Sequence, residues 1–337
     1  MEAPLFGLIV TFAKQIVVGA INWDIVIFAE QLPEPGEEVR IKKIMEVPGG
    51  KGANIAIASS RILGANNIAI LGALGRDNIA KEQIRILKTE GVLTDLISFT
   101  NDAPSGHAYV VVDPNGRNFI LTFKQANDLL NDKVVSSTIM REYINNSDIV
   151  VVVDPPFSVA DTMLSLSKIA NKITLWAPGL LSSRGIKDLQ GAIKNTDYLI
   201  LNEPECINLT GIIEPVPACK AILNNNYTLN LKVIVTRGEN GCIFANRQKI
   251  VSIPAAKMIP TTGENSLRIL NTAGAGDAFI GTFAAMKILG NDDIESLISA
   301  SVSGAIKATR ENIHESPTLK EILEIKRNLE INPTIIS

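Results

Sequence analysis

Short runs of apolar residues that alternate with helical patterns are the feature that most constrains the fold of this chain. Six runs have the length of strands, and several are apolar at nearly every position, as in V-V-V-V at residues 150–153. A strand of that kind is buried on both faces, which is typical of a parallel sheet covered by helices. The predicted strands are residues 16–21, 67–74, 148–154, 172–177, 197–202 and 232–237.

The segments between these runs have the spacing of apolar residues that favours helices. The alternation predicts an α/β fold with a central, mostly parallel sheet flanked by helices, and it predicts ligands at the carboxyl ends of the strands. The predicted helices are residues 52–63, 78–90, 129–145, 160–171, 217–225, 275–289 and 294–309.

Two segments do not fit this alternation. Residues 37–47 mix charged and β-branched side chains, and residues 106–123 hold two apolar runs around the turn sequence D-P-N-G at 113–116. Together with residues 24–29 they predict a small antiparallel sheet, built from excursions at about 24–47 and 106–123. We therefore expect a single domain over residues 1–337 and not two contiguous ones.

Charge and the scarcity of histidine exclude several classes of function. The net charge is −3, so the chain has no basic footprint for nucleic acid. Only His107 and His314 are present, and the three cysteines lack metal-ligand spacing. Zinc chemistry and Ser-His-Asp catalysis are therefore disfavoured, and proton transfer falls to a carboxylate.

The cysteine content and the N-terminus bear on location. An odd, sparse set of cysteines indicates a reducing compartment. Residues 1–15 are apolar, but Lys14 follows the apolar stretch, which is the wrong order for a secretory signal. Polar residues break the run before it spans a bilayer. We expect a cytoplasmic protein without a membrane partner, in which residues 1–15 are a short extension or a result of start-codon choice.

A first glycine-rich motif, P-G-G-K-G-A-N at residues 48–54, precedes a helix rich in small residues. Paired glycines allow a ligand to approach the backbone closely, and Lys51 and Asn54 can bond hydroxyl groups. The motif is not a P-loop, whose G-x-x-x-x-G-K-[ST] pattern is absent from the chain. The alternative interpretation is a tight turn between a strand and a helix.

A second motif, N-T-A-G-A-G-D-A-F at residues 271–279, places Asp277 at the start of a helix. One interpretation is a carboxylate that faces the positive end of the helix dipole. The other is catalytic: amides of residues 273–277 hold a transferring phosphate, and Asp277 takes the proton from the attacking hydroxyl. The small residues from Ala273 to Gly276 favour the catalytic interpretation.

These two motifs, in this order, resemble the signatures of the ribokinase-like sugar kinases, the phosphofructokinase-B family. The resemblance extends from about residue 16 to residue 317. It implies a ribokinase-like fold, in which a small β-sheet forms a lid over a central α/β domain. The two segments that do not fit the main alternation are then the lid.

The resemblance also implies a sugar site. Asn22 and Asp24 follow the first strand and are similar to the family's sugar-binding residues, together with Gly50, Lys51 and Asn54. For Asn22 and Asp24 the alternative is an Asx turn. Asp154 stands where ribokinases proper have a glutamate that touches the sugar, and its alternative is a polar strand end before a proline.

A nucleotide and metal site is implied in the same way. Asn202 and Glu205 resemble the family's N-x-x-E element, which acts on the water shell of magnesium, although a helix-capping pair has the same pattern. Thr236 and Gly238 resemble the T-x-G loop along the nucleotide phosphates, with Arg237 in the place of a smaller residue. The resemblance assigns Asp277 as the base and Gly274, Ala275 and Gly276 as the anion hole, with ATP and Mg²⁺ as cofactors.

Asn271 leaves the need for a monovalent cation open. It stands where the potassium-activated ribokinases have an aspartate, and other members of the family have asparagine. Loss of that charge weakens the case for a bound monovalent cation.

The function implied is an ATP-dependent kinase that phosphorylates the primary hydroxyl of ribose or a similar small sugar. A nucleoside kinase acting on adenosine, cytidine or inosine, a fructokinase and a ketodeoxygluconate kinase are alternatives within the family. A non-catalytic sugar-binding protein is an alternative of another class. Two chains could pair through the lid sheets, or the charges of residues 37–47 could protect a monomer's edge.

Overall fold

The fold was analysed in a computed structural model, which describes residues 12–115, 118–224, 230–256, 269–312 and 315–336. Most of the predicted extension at residues 1–15, Gly116 of the predicted turn and His314 lie outside these residues.

Sixteen strands occur in the described residues. In chain order they are β1 (Gln15–Gly19), β2 (Asn22–Ala29), β3 (Ile41–Gly49), β4 (Ile68–Leu71), β5 (Ala73–Gly75), β6 (Val92–Leu93), β7 (Ser98–Thr100), β8 (Gly106–Val112), β9 (Asn118–Phe123), β10 (Ile149–Val153), β11 (Ile173–Ala177), β12 (Tyr198–Asn202), β13 (Lys232–Thr236), β14 (Cys242–Ala245), β15 (Ile250–Ile253) and β16 (Thr334–Ile335).

Eleven α-helices connect and cover these strands in the same part of the chain. They are α1 (Lys51–Leu63), α2 (Asn78–Thr89), α3 (Asp132–Val135), α4 (Thr138–Asn146), α5 (Phe157–Ile169), α6 (Gly185–Lys194), α7 (Glu203–Thr210), α8 (Pro215–Asn224), α9 (Ala275–Ile288), α10 (Asp293–Ala308) and α11 (Leu319–Arg327). Among them no single helix is long and apolar enough to cross a membrane, although α7 and α8, bent by 48°, pass that test as a pair.

The central sheet has ten strands in the order β16-β15-β14-β13-β12-β11-β10-β1-β4-β6. The strands from β13 to β6 are parallel, and β14, β15 and β16 extend the sheet antiparallel at one edge. Alternate side chains of each strand enter different apolar layers: Val150 and Val152 pack with α5, whereas Val151 and Val153 pack with α1 and α9. The predicted α/β class with a mostly parallel sheet is confirmed.

Two predicted elements are divided in the structure. Residues 129–145 form α3 and α4 because Asn131 and Ser137 each cap a new helix, accepting hydrogen bonds from the amides of Lys133 and Met140. Residues 67–74 form β4 and β5, which are separated at Gly72. A β-carbon there would lie 2.7 Å from the Ile21 side chain, so only glycine fits.

A smaller sheet has the strand order β3-β2-β8-β9. It is mixed and not wholly antiparallel as predicted: β3 with β2 and β8 with β9 run antiparallel, but β2 and β8 run parallel because the chain passes through the main body between them. Its β2 follows directly after β1, and its β3 leads directly into α1. On its inner face Val26, Val47 and Val110 pack against Ala273, which precedes α9. The smaller sheet therefore covers the loop that contains the second glycine motif. The division of the chain into one domain with a lid stays a prediction.

Candidate active site

Close packing of α1 against α9 brings the two glycine motifs together. At Gly281 of α9 a β-carbon would lie 2.7 Å from Ala58 Cβ and 2.8 Å from the Ile55 carbonyl oxygen of α1. The Ser59 hydroxyl of α1 donates to the Gly281 carbonyl at 3.0 Å. One to two turns toward the N-termini of these helices, Asn54 Nδ2 donates to Asp277 Oδ2 at 2.9 Å. The motifs, 223 residues apart, thus share one hydrogen bond.

Burial and the neighbouring polar groups shift the pKa of Asp277 in opposite directions. Burial raises the pKa of this carboxyl above its usual range. The hydrogen bond from Asn54 and the positive charges of Lys51 and Lys307 lower it. Asp277 is therefore a carboxylate more basic than a surface aspartate and still supported in its ionised form, as a general base requires.

The glycines of the first motif fit α1 against the end of β1. Gly50 has φ of 92°, and a β-carbon there would lie 2.6 Å from the Ala20 carbonyl oxygen. A β-carbon on Gly52 would lie 2.6 Å from the carbonyl carbon of Gly19. Lys51, placed between them, has an exposed side chain, and its Nζ lies 4.0 Å from Glu205 Oε1. Backbone geometry therefore accounts for these glycines, and Lys51 is free to face a ligand.

Asp24, on β2 of the smaller sheet, lies beside Asp277 of α9. Its side chain is 5% exposed, and Oδ1 has no hydrogen-bond partner among the described residues. Burial and the neighbouring Asp277 carboxylate raise the pKa of Asp24 to about 7, although a hydrogen bond from the Gly50 amide lowers it. A buried acceptor without a partner indicates a place for a ligand.

Asn22 is held by residues that sequence reasoning did not assign to the site. Asn127 Nδ2 donates to Asn22 Oδ1 at 3.0 Å, and Asn127 Oδ1 accepts from the Ile21 amide at 2.9 Å. The Gln83 side chain donates to the Asn22 carbonyl. The only signal of Asn127 in the sequence is K-Q-A-N at residues 124–127, and Gln83 has none, since polar residues are common on helices.

Asp154 pairs with Lys124, a contact the sequence did not predict. Lys124 Nζ lies 3.3 Å from Asp154 Oδ1, and this pair is largely buried. Asp154 has φ of 48°, in the left-handed region, and Gly179 packs directly on its side chain. Burial raises the pKa of Asp154, whereas Lys124 and Lys51 lower it.

The start of α9 offers fewer free amides than predicted. The Ala273 amide donates to Asn271 Oδ1 at 3.0 Å, and the Ala275 amide donates to the Thr272 carbonyl at 3.2 Å. Local turn geometry therefore removes Ala273 and Ala275 from the predicted anion hole. Within the described part of the chain, the amides of Gly274, Gly276 and Asp277 have no acceptor. Open space lies over Gly276, where a β-carbon would meet nothing within 4 Å.

Asn202 and Glu205 form the helix-capping pair that was one of the two interpretations. The Glu205 amide donates to Asn202 Oδ1 at 2.8 Å, and the Asn202 amide donates to Glu205 Oε2 at 3.1 Å. Glu205 Oε1 is the carboxylate oxygen that faces Lys51. No cluster of three or more His, Cys, Asp and Glu side chains suited to a metal occurs in the described residues.

Thr236 and Gly238 lie at the carboxyl end of β13, beside Asn202. Asn202 and Thr236 are partners in the register of β12 and β13. The Thr236 hydroxyl donates to the Leu201 carbonyl at 3.4 Å, and Gly238 has φ of 52° in the turn that follows. Arg237 pairs with Glu203 at 3.0 Å. Because Arg237 is paired, residues 236–238 offer backbone groups and not a free arginine at the carboxyl end of β13.

The predicted residues converge at the carboxyl ends of β1, β10, β12 and β13, four of five adjacent parallel strands. Asn22 follows β1, Asp154 follows β10, Asn202 ends β12 and Thr236 ends β13. This edge is where an open α/β sheet places its ligands. The structure therefore brings buried polar acceptors and a helix N-terminus with free amides together at Asp277.

Comparison with known proteins agrees with this architecture. Residues 13–319 match the model of the pfkB family of carbohydrate kinases. A ribokinase of Dictyostelium discoideum is 29% identical over 326 residues, covering 91% of this chain and 98% of that protein.

Solved structures of a ribokinase and of a nucleoside kinase are similar to this fold. The Arabidopsis thaliana ribokinase complexed with ribose and ATP has a TM-score of 0.78 and 26% identity, covering 94% of this chain and 99% of that one. A Burkholderia thailandensis nucleoside kinase in complex with inosine has a TM-score of 0.76 at 19% identity, covering 94% and 99%. The chain belongs to the pfkB family of carbohydrate kinases, and the ribokinase-like fold is confirmed.

Proposed function

We propose that this protein is an ATP-dependent sugar kinase, which transfers the γ-phosphoryl group to the primary hydroxyl of ribose or a similar small sugar. The observation that carries the proposal is the 2.9 Å hydrogen bond between Asn54 and Asp277. It supports Asp277 as the base, because this side chain then lies between the buried acceptors Asp24 and Asn54 of the sugar site and the free amides of α9. Membership in the carbohydrate kinase family and the likeness to ribokinases support the same activity.

In the proposed reaction, Asp277 accepts the proton of the sugar hydroxyl as the oxygen attacks the γ-phosphorus. The bond from phosphorus to the bridging oxygen breaks, and ADP leaves with that electron pair. The amides of Gly274, Gly276 and Asp277, at the positive end of α9, stabilise the negative charge on the transferring group.

Sugar binding is assigned to Asn22, Asp24, Gly50, Lys51, Asn54 and Asp154. Two buried oxygens support this assignment: Asp24 Oδ1 and Asn54 Oδ1 have no partner within the described residues. Each can accept a hydrogen bond from a sugar hydroxyl, and a buried acceptor that gains a donor gives selectivity for polyols.

Nucleotide binding is assigned to Thr236, Gly238, Gly274 and Gly276, and magnesium to Glu205. Magnesium keeps several waters and is held mainly by substrate phosphates, so a lone carboxylate at this edge suits it better than a full protein cage. Asn202 Oδ1 and Glu205 Oε2 are engaged in the helix cap, so Glu205 Oε1 is the oxygen that remains to act on magnesium through water. Magnesium, when bound, neutralises charge on the phosphates.

A nucleoside is the second candidate acceptor. Asp154, which stands where ribokinases proper have a glutamate, pairs with Lys124 in a largely buried position. This pair changes the polar boundary of the acceptor site, and the fold is shared with a nucleoside kinase.

A homodimer through the smaller sheet is a further part of the proposal. Its outer face exposes large apolar side chains on three strands, which monomers rarely do. These side chains are Ile44 (57% exposed), Tyr109 (40%), Phe119 (54%), Leu121 (55%) and Phe123 (62%). Burial of this face against a second copy would also cover the open edges of the sheet.

A cytoplasmic location is proposed as well. Cys206, Cys219 and Cys242 are free and buried, which supports a reducing compartment.

The test is ADP formation from ATP and Mg²⁺ with ribose, 2-deoxyribose, fructose, ketodeoxygluconate, adenosine, cytidine and inosine. The proposal predicts the highest kcat/KM for ribose or a close analogue. A nucleoside with the highest kcat/KM would select the second candidate. Failure of every acceptor to stimulate ADP formation above the rate without acceptor would contradict both.

A further inference from the structure

Lys307, in the last turn of α10, is a buried cation that the proposed reaction does not use. Its side chain is 0% exposed, and Nζ has no hydrogen-bond partner among the described residues. Lysine is almost never fully buried without a partner, because loss of hydration is unfavourable for the charged form. A position of this kind calls for a functional explanation.

The packing of α9 against α10 shows where Lys307 lies. The Thr282 hydroxyl donates to Ser303 Oγ at 2.7 Å. One residue further on α10, a β-carbon at Gly304 would lie 3.2 Å from the Ala275 carbonyl oxygen. Lys307 is three residues beyond Gly304, on the same face of α10. It therefore faces the N-terminal end of α9 and the loop of residues 271–274.

The oxygens identified around this loop already accept hydrogen bonds. The Ala308 carbonyl accepts from the amides of Leu270 and Asn271 at 2.9 and 3.2 Å. Asn271 Oδ1 accepts from the Ala273 amide, and Asn271 Nδ2 donates to the Glu311 carbonyl at 3.0 Å. These groups have donors from the protein, so a metal cation is not needed to satisfy them.

The charges that act on Lys307 come from three elements. Asp277 of α9 and Glu315, after α10, favour its charged form, whereas Arg310 and burial disfavour it. The pKa of Lys307 is lowered to about 8, so the side chain is still mostly charged at neutral pH. The C-terminal end of α10, where carbonyl groups carry partial negative charge, also favours a cation.

We propose that Lys307 is a built-in cation of the active site: it supplies a fixed positive charge beneath the loop that carries Asp277, keeps that base ionised, and makes an added monovalent cation unnecessary. The inference rests on the proposed kinase activity. Lys307 acts through Asp277 and is a positioning residue, because the buried ammonium lies behind the loop.

The test compares Lys307→Met with Lys287→Met. Lys287 lies at the other end of α9 and is bonded to the Asn291 carbonyl at 2.7 Å and to Asp293 Oδ1 at 2.9 Å. Both variants lose one ammonium group, but only Lys307 faces Asp277. For each protein, kcat is measured across pH in potassium, sodium and tetramethylammonium salts, and thermal unfolding is measured in parallel.

Wild-type kcat is expected to be the same in all three salts. In Lys307→Met the acid limb of the kcat profile is expected to move upward by about one pH unit or more, because an opposite charge near a carboxylate lowers its pKa by that amount. Its unfolding temperature at neutral pH is expected to equal or exceed that of wild type, because an unpaired buried charge is removed. Lys287→Met is expected to unfold earlier and to keep the wild-type pH profile.

A requirement of the wild type for potassium, or an unchanged acid limb in folded Lys307→Met, would overturn the inference while the kinase assignment stands. Absence of turnover in the wild type would overturn the kinase assignment itself. If the methionine variant does not fold, Lys307→Gln provides the same comparison. In Lys307→Ala, ethylammonium supplies a cation, whereas ethanol fills a similar volume without charge. Recovery of kcat with ethylammonium alone would show that the charge of Lys307, and not its packing, supports the reaction.

Discussion

At the residue scale, the carboxylates of Asp24 and Asp277 lie close enough to interact electrostatically. The Asp277 carboxylate raises the pKa of Asp24, whereas the hydrogen bond from Asn54 and the charges of Lys51 and Lys307 favour the ionised form of Asp277. This difference separates their roles: Asp277 is favoured as the base, whereas Asp24 is an acceptor whose charge depends on pH near neutrality.

Asp24→Asn tests that dependence. The folded-state pKa of Asp24 is raised from 3.8 to about 7, so the folded state binds more protons than the unfolded state between these values. Its contribution to the free energy of unfolding is therefore lost as pH rises through that window. We expect Asp24→Asn to gain stability over wild type from pH 4 to pH 8, by roughly 2–4 kcal/mol.

Urea denaturation at several pH values measures this difference. Asp128→Asn, which changes an exposed carboxylate, is the control. A stability difference between Asp24→Asn and wild type that stays constant from pH 4 to pH 8 would contradict the assigned pKa.

At the element scale, the contact of α1 with α9 sets the distance between the two motifs. Small residues on both helices permit this approach: Ala58 and Ser59 on α1 face Gly281 on α9. The catalytic geometry therefore depends on Gly281, a residue about one helical turn from Asp277.

Gly281→Ala is expected to move α9 away from α1, since its β-carbon would lie 2.7 Å from Ala58 Cβ. We expect a loss of about 1–3 kcal/mol of stability and a fall in kcat of about 100-fold, because small displacements of reacting groups reduce rates strongly. Denaturation and steady-state kinetics on folded protein measure the two effects. Gly191→Ala, in α6 where space is available, is the matched control. Wild-type kcat in Gly281→Ala would contradict this role.

The sequence predicted those elements whose signal is local. Apolar runs such as V-V-V-V of β10 identify buried strands without any knowledge of their neighbours. The division of 129–145 into two helices was missed because the caps Asn131 and Ser137 lie inside a continuous helical pattern. The strands β14 and β15 were missed because each has only four residues, and apolar runs as short as C-I-F-A and I-V-S-I do not distinguish a strand from another buried segment.

The candidate site was predicted where a motif carries it and missed where tertiary contacts create it. Asp277 and Asn54 stand in recognisable motifs, and the structure brings them together. Lys124, Asn127 and Lys307 become relevant only through contacts with residues far away in the sequence. The engagement of the Ala275 amide depends on a local turn that propensity does not reveal.

At the scale of the whole molecule, the smaller sheet has two different faces. Its inner face covers the α9 loop, and its strands contact the main body through Lys43 with Glu311 and through Asn118 with Thr272. Its outer face is apolar and exposed. An assembly of two chains through the outer face would connect the active site to the subunit interface.

Leu121→Lys tests the proposed assembly. A charge in the centre of an apolar interface is expected to weaken dimerisation by more than about tenfold in Kd. Sedimentation equilibrium measures the change, with Ile169→Lys, on an exposed site of α5, as the control. A wild-type protein that is monomeric at all concentrations would contradict the proposed dimer.

The most direct test of the central claim is the turnover of Asp277→Asn, measured together with its ATP affinity. Loss of the general base is expected to reduce kcat by about 10²–10⁴-fold, while the amides of Gly274 and Gly276 still bind nucleotide with nearly unchanged Kd. Asp293→Asn, at the first residue of α10, where the carboxylate pairs with Lys287 near the C-terminal end of α9, is the control for removal of a carboxylate. Turnover of Asp277→Asn at the wild-type rate would contradict the account.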